Sequence, residues 1–108
     1  MHSHDYTIAH FEQMKELAVR LAELPAEIRL HEYNYEVFGS WILELRFKGI
    51  RFRLVYDGKE NELRLDNRDV PRDASGFGPH VWRSPRLAGE AFYTGVLGAL
   101  KNAVQWRA

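Results

Sequence analysis

The sequence predicts an α+β domain in two layers, a four-stranded antiparallel β-meander with N- and C-terminal helices packed on one face, in the order α-β-β-β-β-α. Three observations predict it. The 108 residues open and close on stretches whose apolar side chains recur at helical spacing. Between them, Arg29 to Asp66 alternates apolar and polar residues with a period of two. Glycines punctuate that middle segment where hairpins need to turn.

The first element is the helix "DYTIAHFEQMKELAVRLAEL". Turning successive residues by about 100° puts Phe11, Met14, Leu17, Ala18, Leu21, Ala22 and Leu24 on one arc. Glu12, Gln13, Glu16, Arg20 and Glu23 fall on the other, with Glu16 and Arg20 forming a favourable i,i+4 pair. Asp5 or Thr7 is placed to cap the start, and Pro25 stops the helix because its ring clashes with the preceding turn.

Trp41, Leu43, Leu45 and Phe47 then alternate with polar neighbours, as do Ile50, Phe52, Leu54 and Tyr56. A two-residue Lys48-Gly49 turn pairs Phe47 with Ile50, Leu45 with Phe52, Leu43 with Leu54 and Trp41 with Tyr56, so each apolar residue meets another. A three-residue Phe38-Gly39-Ser40 turn would set Val37 against Trp41, Tyr35 against Leu43, Tyr33 against Leu45 and His31 against Phe47. A four-residue turn at Asp57-Gly58-Lys59-Glu60 would set Leu63 against Leu54 and Leu65 against Phe52.

The last helix is expected from Leu87 to Trp106, with Ser84 as N-cap and Pro85 at the first helical position. Its apolar arc is wide, about 240°. Tyr93, Leu97 and Val104 would stand uncovered, and a homodimer would bury them. Gly95 is expected against the first helix at Ala18 and Ala22, whereas Gly98 has no evident role. Between the meander and this helix runs "NRDVPRDASGFGPHVWRSP". Loops of this length inside small domains are functional or disordered. Asp69 to Arg83 is expected to lack regular structure, with Trp82 as a buried anchor and Phe77, between Gly76 and Gly78, as an exposed tip.

Composition narrows the functional classes. The chain is long enough for one domain spanning residues 1–108. Fifteen basic residues balance fifteen acidic ones, so no global field draws the protein to nucleic acid or an anionic membrane. There is no cysteine, which removes disulfides and thiol chemistry. No membrane-length apolar run or signal-like start is visible, and a cytoplasmic location is expected.

Arg46, Arg51, Arg53 and Arg64 point to the polar face of the sheet, where arginine could meet phosphate. The expected rows across that face are Glu32–Arg46–Arg51–Asp66, Asn34–Glu44–Arg53–Arg64 and Glu36–Ile42–Val55–Glu62. Acid adjoins base in each charged row and no aromatic stands by to stack a base, which favours a salt-bridged solvent face over RNA. The element order resembles the α-β-β-β-α domains of the signal recognition particle's Alu-binding proteins at the level of fold alone, with the extra strand a departure.

His10 and His31 lie towards the core of their elements and are expected as boundary histidines that pack a ring and wet one nitrogen. No third ligand with recognisable spacing makes them a metal site, and His2 with His4 sits at a chain end. Asp57 to Glu62 lacks a calcium-loop pattern. Asp73, Ser75 and His80 are triad residue types without a nucleophile elbow. No catalytic residue, metal or cofactor is therefore expected.

The long loop supplies the aromatic and arginine residues in which binding energy concentrates. The function expected is a non-catalytic protein-interaction domain, of the general kind to which toxin-neutralising immunity proteins belong. Its partner-binding residues would be Arg72, Phe77, His80, Arg83 and Arg86. The alternatives are an RNA-binding module on the arginine face and a small-ligand carrier whose pocket is lined by Tyr33, Tyr35, Trp41 and Tyr56.

Overall fold

The computed structural model describes residues 3–34, 36–69 and 80–105, the side chains of 3–6, 80 and 105 excepted. Helix α1 (Ser3–Glu23) leads into strands β1 (Ala26–Asn34), β2 (Ser40–Phe47), β3 (Ile50–Asp57), β4 (Glu62–Asn67) and β5 (His80–Pro85), and helix α2 (Glu90–Gln105) ends the fold. The strands form one antiparallel sheet in sequence order. The α+β class and the two helices on one face are as the sequence predicts, with five strands in place of four.

The central hairpin has the predicted register, Trp41 opposite Tyr56, Leu43 opposite Leu54, Leu45 opposite Phe52 and Phe47 opposite Ile50. Lys48 and Gly49 both have positive φ, 53° and 77°, as a two-residue turn that follows the strand twist requires. One face of this hairpin joins Leu17 and Leu21 of α1 and Phe92, Val96 and Leu100 of α2 in a single core.

The two flanking hairpins are shifted from expectation, each by an even number of residues. Tyr33 lies opposite Trp41 and His31 opposite Leu43, with Asn34 closing on Ser40. Two observations explain the longer turn. The Asn34 side chain accepts a hydrogen bond from the Glu36 N–H at 3.0 Å, and Phe38 and Gly39 both take positive φ. Val37 consequently stands exposed in the turn rather than against Trp41. A bulge at Arg29 then lets Ala26 and Ile28 face Phe47 and Leu45.

On the other side, Asp57 remains in its strand opposite Glu62 and accepts hydrogen bonds from the N–H groups of Lys59 and Glu60. Leu63 therefore meets Tyr56, and Leu65 meets Leu54. An even slip preserves which side chains point inward, so the core survives both corrections.

The largest correction is β5. His80 to Pro85 pairs with β4, setting Trp82 opposite Leu65 and Ser84 opposite Leu63, where a loop was expected through Arg83. Pro85 ends an edge strand, a position that needs no ladder donor, instead of opening the helix. The Ser84 hydroxyl donates to the Pro85 carbonyl rather than capping α2. The helix starts at Glu90, after Gly89 at a φ of 60°. Trp82 is partly buried against the core, and Gly95 faces Trp82 and Leu87 rather than α1, since a Cβ there would lie 3.3 Å from the Trp82 ring and 2.9 Å from a Leu87 methyl.

Two smaller corrections concern the helices. Helix α1 already runs from Ser3, so Asp5 and Thr7 lie within it, and Phe11 is half exposed. Tyr93 is partly buried within the chain itself. The Arg20 guanidinium lies 4.4 Å above its ring while pairing with Glu16 and, through both terminal nitrogens, with Glu90 at the start of α2. Val104 packs against the core and Leu97 is partly buried.

Leu45→Ala, at a side chain 1% exposed, is expected to cost about 2–5 kcal/mol in urea unfolding. Arg46→Ala on the opposite face should stay within about 0.5 kcal/mol. Gly98 has open space around its Cβ position and helical φ, so Gly98→Ala should raise stability by about 1 kcal/mol. A destabilised Gly98→Ala protein would show that this part of α2 is covered by something else.

Candidate functional site

The meander ends on a core-facing row that reads Tyr33, Trp41, Tyr56, Leu63 and Ser84 across all five strands. Ala9, His10 and Gln13 of α1 overhang this row from one side, and Phe92 of α2 with Arg86 and Leu87 of its lead-in segment from the other. The helices do not close over it. A cleft of about 560 Å³ is left, bordered at the β1–β2 turn by Glu36, Phe38 and Gly39. That size lies within the range of small-molecule sites, and the lining is mainly aromatic and apolar as such sites require.

The aromatic rings are mutually braced. Trp41 lies 6.2 Å from Tyr56 and meets Phe92 nearly edge-on at 6.1 Å, centre to centre. Such offset and edge contacts are the favoured geometries of aromatic pairs. The Tyr56 hydroxyl donates to the Asn61 side-chain oxygen at 2.9 Å, and the same residue's carbonyl accepts the Arg86 N–H at 3.0 Å.

His10 is buried rather than at the boundary, 7% exposed, and its ring lies face-on to Tyr33 at 4.1 Å. Its Nε2 is 2.8 Å from Nε2 of His31. The ring centres are 5.0 Å apart with planes 16° apart, so the imidazoles meet tip to tip, nearly in one plane. One ring must donate and the other accept, so the acceptor ring is neutral and the two cannot both be protonated. Burial, with the nearby His31 second, lowers the His10 pKa from its ordinary 6.5 to about 4. Burial lowers that of His31 too.

The rim is built by two turns pressed together. A Cβ on Gly58 would fall 1.9 Å from the Phe38 carbonyl oxygen, so only glycine fits there. The Gly58 N–H donates to the Ser40 hydroxyl at 2.9 Å. Phe38, 68% exposed, is thereby held at the edge of the cleft.

Of the residues the sequence singles out for a partner, those that are described do not come together. Arg72 and Phe77 lie outside the described residues. His80 begins β5 opposite Asp66, at the end of the sheet that bears the Lys48-Gly49 turn. Arg83 stands on the polar face opposite Arg64, 3.7 Å from the Glu62 carboxylate. Among the described ones, Arg86 reaches the cleft, at the other end of the sheet. Of the ligand-carrier residues, Tyr33, Trp41 and Tyr56 line the cleft and Tyr35 lies outside the described residues. His10, Phe38 and Phe92 were not foreseen as lining. Their only sequence signal is aromatic character, because helix-to-sheet juxtaposition is not written in local spacing.

The polar face is electrically mixed. Arg53 and Arg68 share Glu44 at 2.6 and 3.3 Å, Arg51 pairs with Asp69 at 2.8 Å and Arg64 with Asp66 at 3.3 Å. The Arg53 hydrogen bond holds the Glu44 carboxyl below its usual range. The central pairs of the predicted rows stand, but the shifted outer strands make them Leu30–Glu44–Arg53–Asp66 and Glu32–Ile42–Val55–Arg64.

Among the described residues, no group of three metal-ligating side chains is assembled and no helix is long and apolar enough to cross a membrane. The fold and cleft define an open-sheet α+β domain with a hollow at one sheet end. Set against protein families, curated proteins and solved structures, the chain matches none.

The histidine pair makes stability depend on pH. Between the unfolded value of 6.5 and the folded value of about 4, the unfolded chain binds more protons at His10 than the native one. Stability is thus full above pH 6.5, falls as the pH drops towards 4, and loses at most about 3 kcal/mol through this group. In urea unfolding at pH 7 and 4.5, His10→Phe should flatten this dependence. An unchanged slope would place the acid sensitivity elsewhere.

Proposed function

We propose that the protein is a non-catalytic binding domain that holds a small, largely apolar molecule in this cleft. One observation carries the reading: the last core-facing row of the sheet lines, with Tyr33, Trp41 and Tyr56, a hollow of about 560 Å³ over which the two helices do not close. Leaving that hollow unfilled forgoes stability that larger helix side chains would supply. Two polar groups of the lining are already engaged, His10 with His31 and Tyr56 with Asn61, which supports binding rather than turnover.

A partner protein is the second reading. It is favoured by Ile8, Phe11 and Val19, which are exposed along one side of α1 away from the cleft. The salt-bridged arginines of the polar face supply no comparable support for RNA.

The neutral probe N-phenyl-1-naphthylamine tests the first reading. It should bind the intact protein with quenching of tryptophan fluorescence, since Trp41 lines the cleft. Phe38→Ala should weaken that binding about fivefold or more while leaving the urea midpoint nearly unchanged, because Phe38 is exposed. No binding up to the probe's solubility, or binding indifferent to Phe38, would leave the partner-protein reading.

A further inference from the structure

We infer that the molecule this cleft takes is an amphipathic anion, an aromatic or apolar body carrying one carboxylate, sulfonate or phosphate that ion-pairs with Arg86. The inference rests on the cleft being the binding site. What selects the sign of charge is how the protein spends its arginines. Seven of the nine among the described residues pair with a carboxylate. Arg46 and Arg86 do not, and Arg86 is the one that lines the cleft.

Glu36 also borders the cleft, but its freedom is unexceptional. Glu12, Glu23, Glu32 and Glu60 likewise have exposed carboxylates without an ion pair among the described residues. Six of the thirteen carboxylates with described side chains lack an ion pair among the described residues, against two of the nine described arginines, so an unpaired arginine is the rarer state. Glu36 and Arg86 also sit at opposite margins of the sheet, the first in the β1–β2 turn and the second just beyond β5. No ion pair joins the two.

Position supports the same chemistry. The Arg86 backbone is fixed by its N–H bond to the Asn61 carbonyl, while its side chain is exposed at the mouth. Below it the lining is Leu63, Leu87, Phe92 and Trp41. His10, engaged with His31 and held neutral by burial, adds no second positive charge at the floor. A single cation above an apolar floor orients a ligand with its body inward and its anionic group at the rim, where a planar guanidinium offers two donors to a two-oxygen anion.

The experiment compares two probes of related shape at neutral pH and low salt, 8-anilinonaphthalene-1-sulfonate and the uncharged N-phenyl-1-naphthylamine, on the intact protein. Arg86→Gln should weaken the sulfonate about tenfold and leave the neutral probe within about twofold. Raising salt should reproduce that difference in the parent protein, because the pair is exposed. An equal loss of both probes, or an unchanged sulfonate affinity, would overturn the anion assignment. Retained, Phe38-dependent binding of the neutral probe would in either case leave the cleft standing. Failure of the parent protein to bind the neutral probe would remove the cleft itself.

Discussion

The turn at Lys48 and Gly49 is the constraint on which the remainder hangs. Two successive residues in the left-handed region allow a connection of only two residues, and such a short connection admits one register. That register puts Trp41, Leu43, Leu45 and Phe47 on the same face as Ile50, Phe52, Leu54 and Tyr56. With one face apolar over eight paired residues, both helices have only one side on which to bury their arcs. The Arg20–Glu90 clasp then joins a helix that ends over β1 to one that begins beyond β5, and it places a carboxylate at the positive end of α2.

Side-chain period is legible in this sequence to a degree that turn length is not. Tyr33 and His31 were assigned to the core face from alternation alone, and there they lie, although their partners are displaced by four positions. Leu63 and Leu65 are likewise correctly faced and displaced by two. The displacements come from Asn34 and Asp57, whose side chains bond the backbone two residues on and lengthen or relocate the turn. Strand β5 is hidden in the sequence for a different reason. Val81, Trp82 and Arg83 have strand character, but prolines at 79 and 85 flank them, and only pairing with β4 makes so short a run a strand.

The cleft lies at the limit of what a sequence can disclose. Its floor was visible as a set of aromatic residues on one strand face, and three of the four named for a ligand reading do line it. Its existence was not visible, since a hollow depends on where α1 and α2 fail to meet. His10 and His31 illustrate the same boundary. Each was recognisable as core-facing, yet their 2.8 Å contact needs the angle between a helix and an edge strand, which no periodicity supplies. The long loop is conspicuous for sound compositional reasons, but residues 70–79 lie outside the described residues, and the strand ends at Asn67 and His80 that flank them stand at the end of the sheet opposite the cleft.

The rim shows how a local rule is broken and compensated. A phenylalanine with φ of 55° is unfavourable by about 1–2 kcal/mol, because its Cβ crowds the following carbonyl. Asn61, on the other side of the mouth, shares the conformation at lower cost because asparagine tolerates it. Phe38 is kept there by Gly58, whose missing side chain admits the Phe38 carbonyl, and by the Gly58 N–H bond to Ser40. The β3–β4 turn thus holds the β1–β2 turn in a shape it would not choose alone. A Phe38 free to relax would fold its ring onto the nearest apolar surface, which is the cleft it borders. Held at 68% exposure, it borders the hollow without filling it.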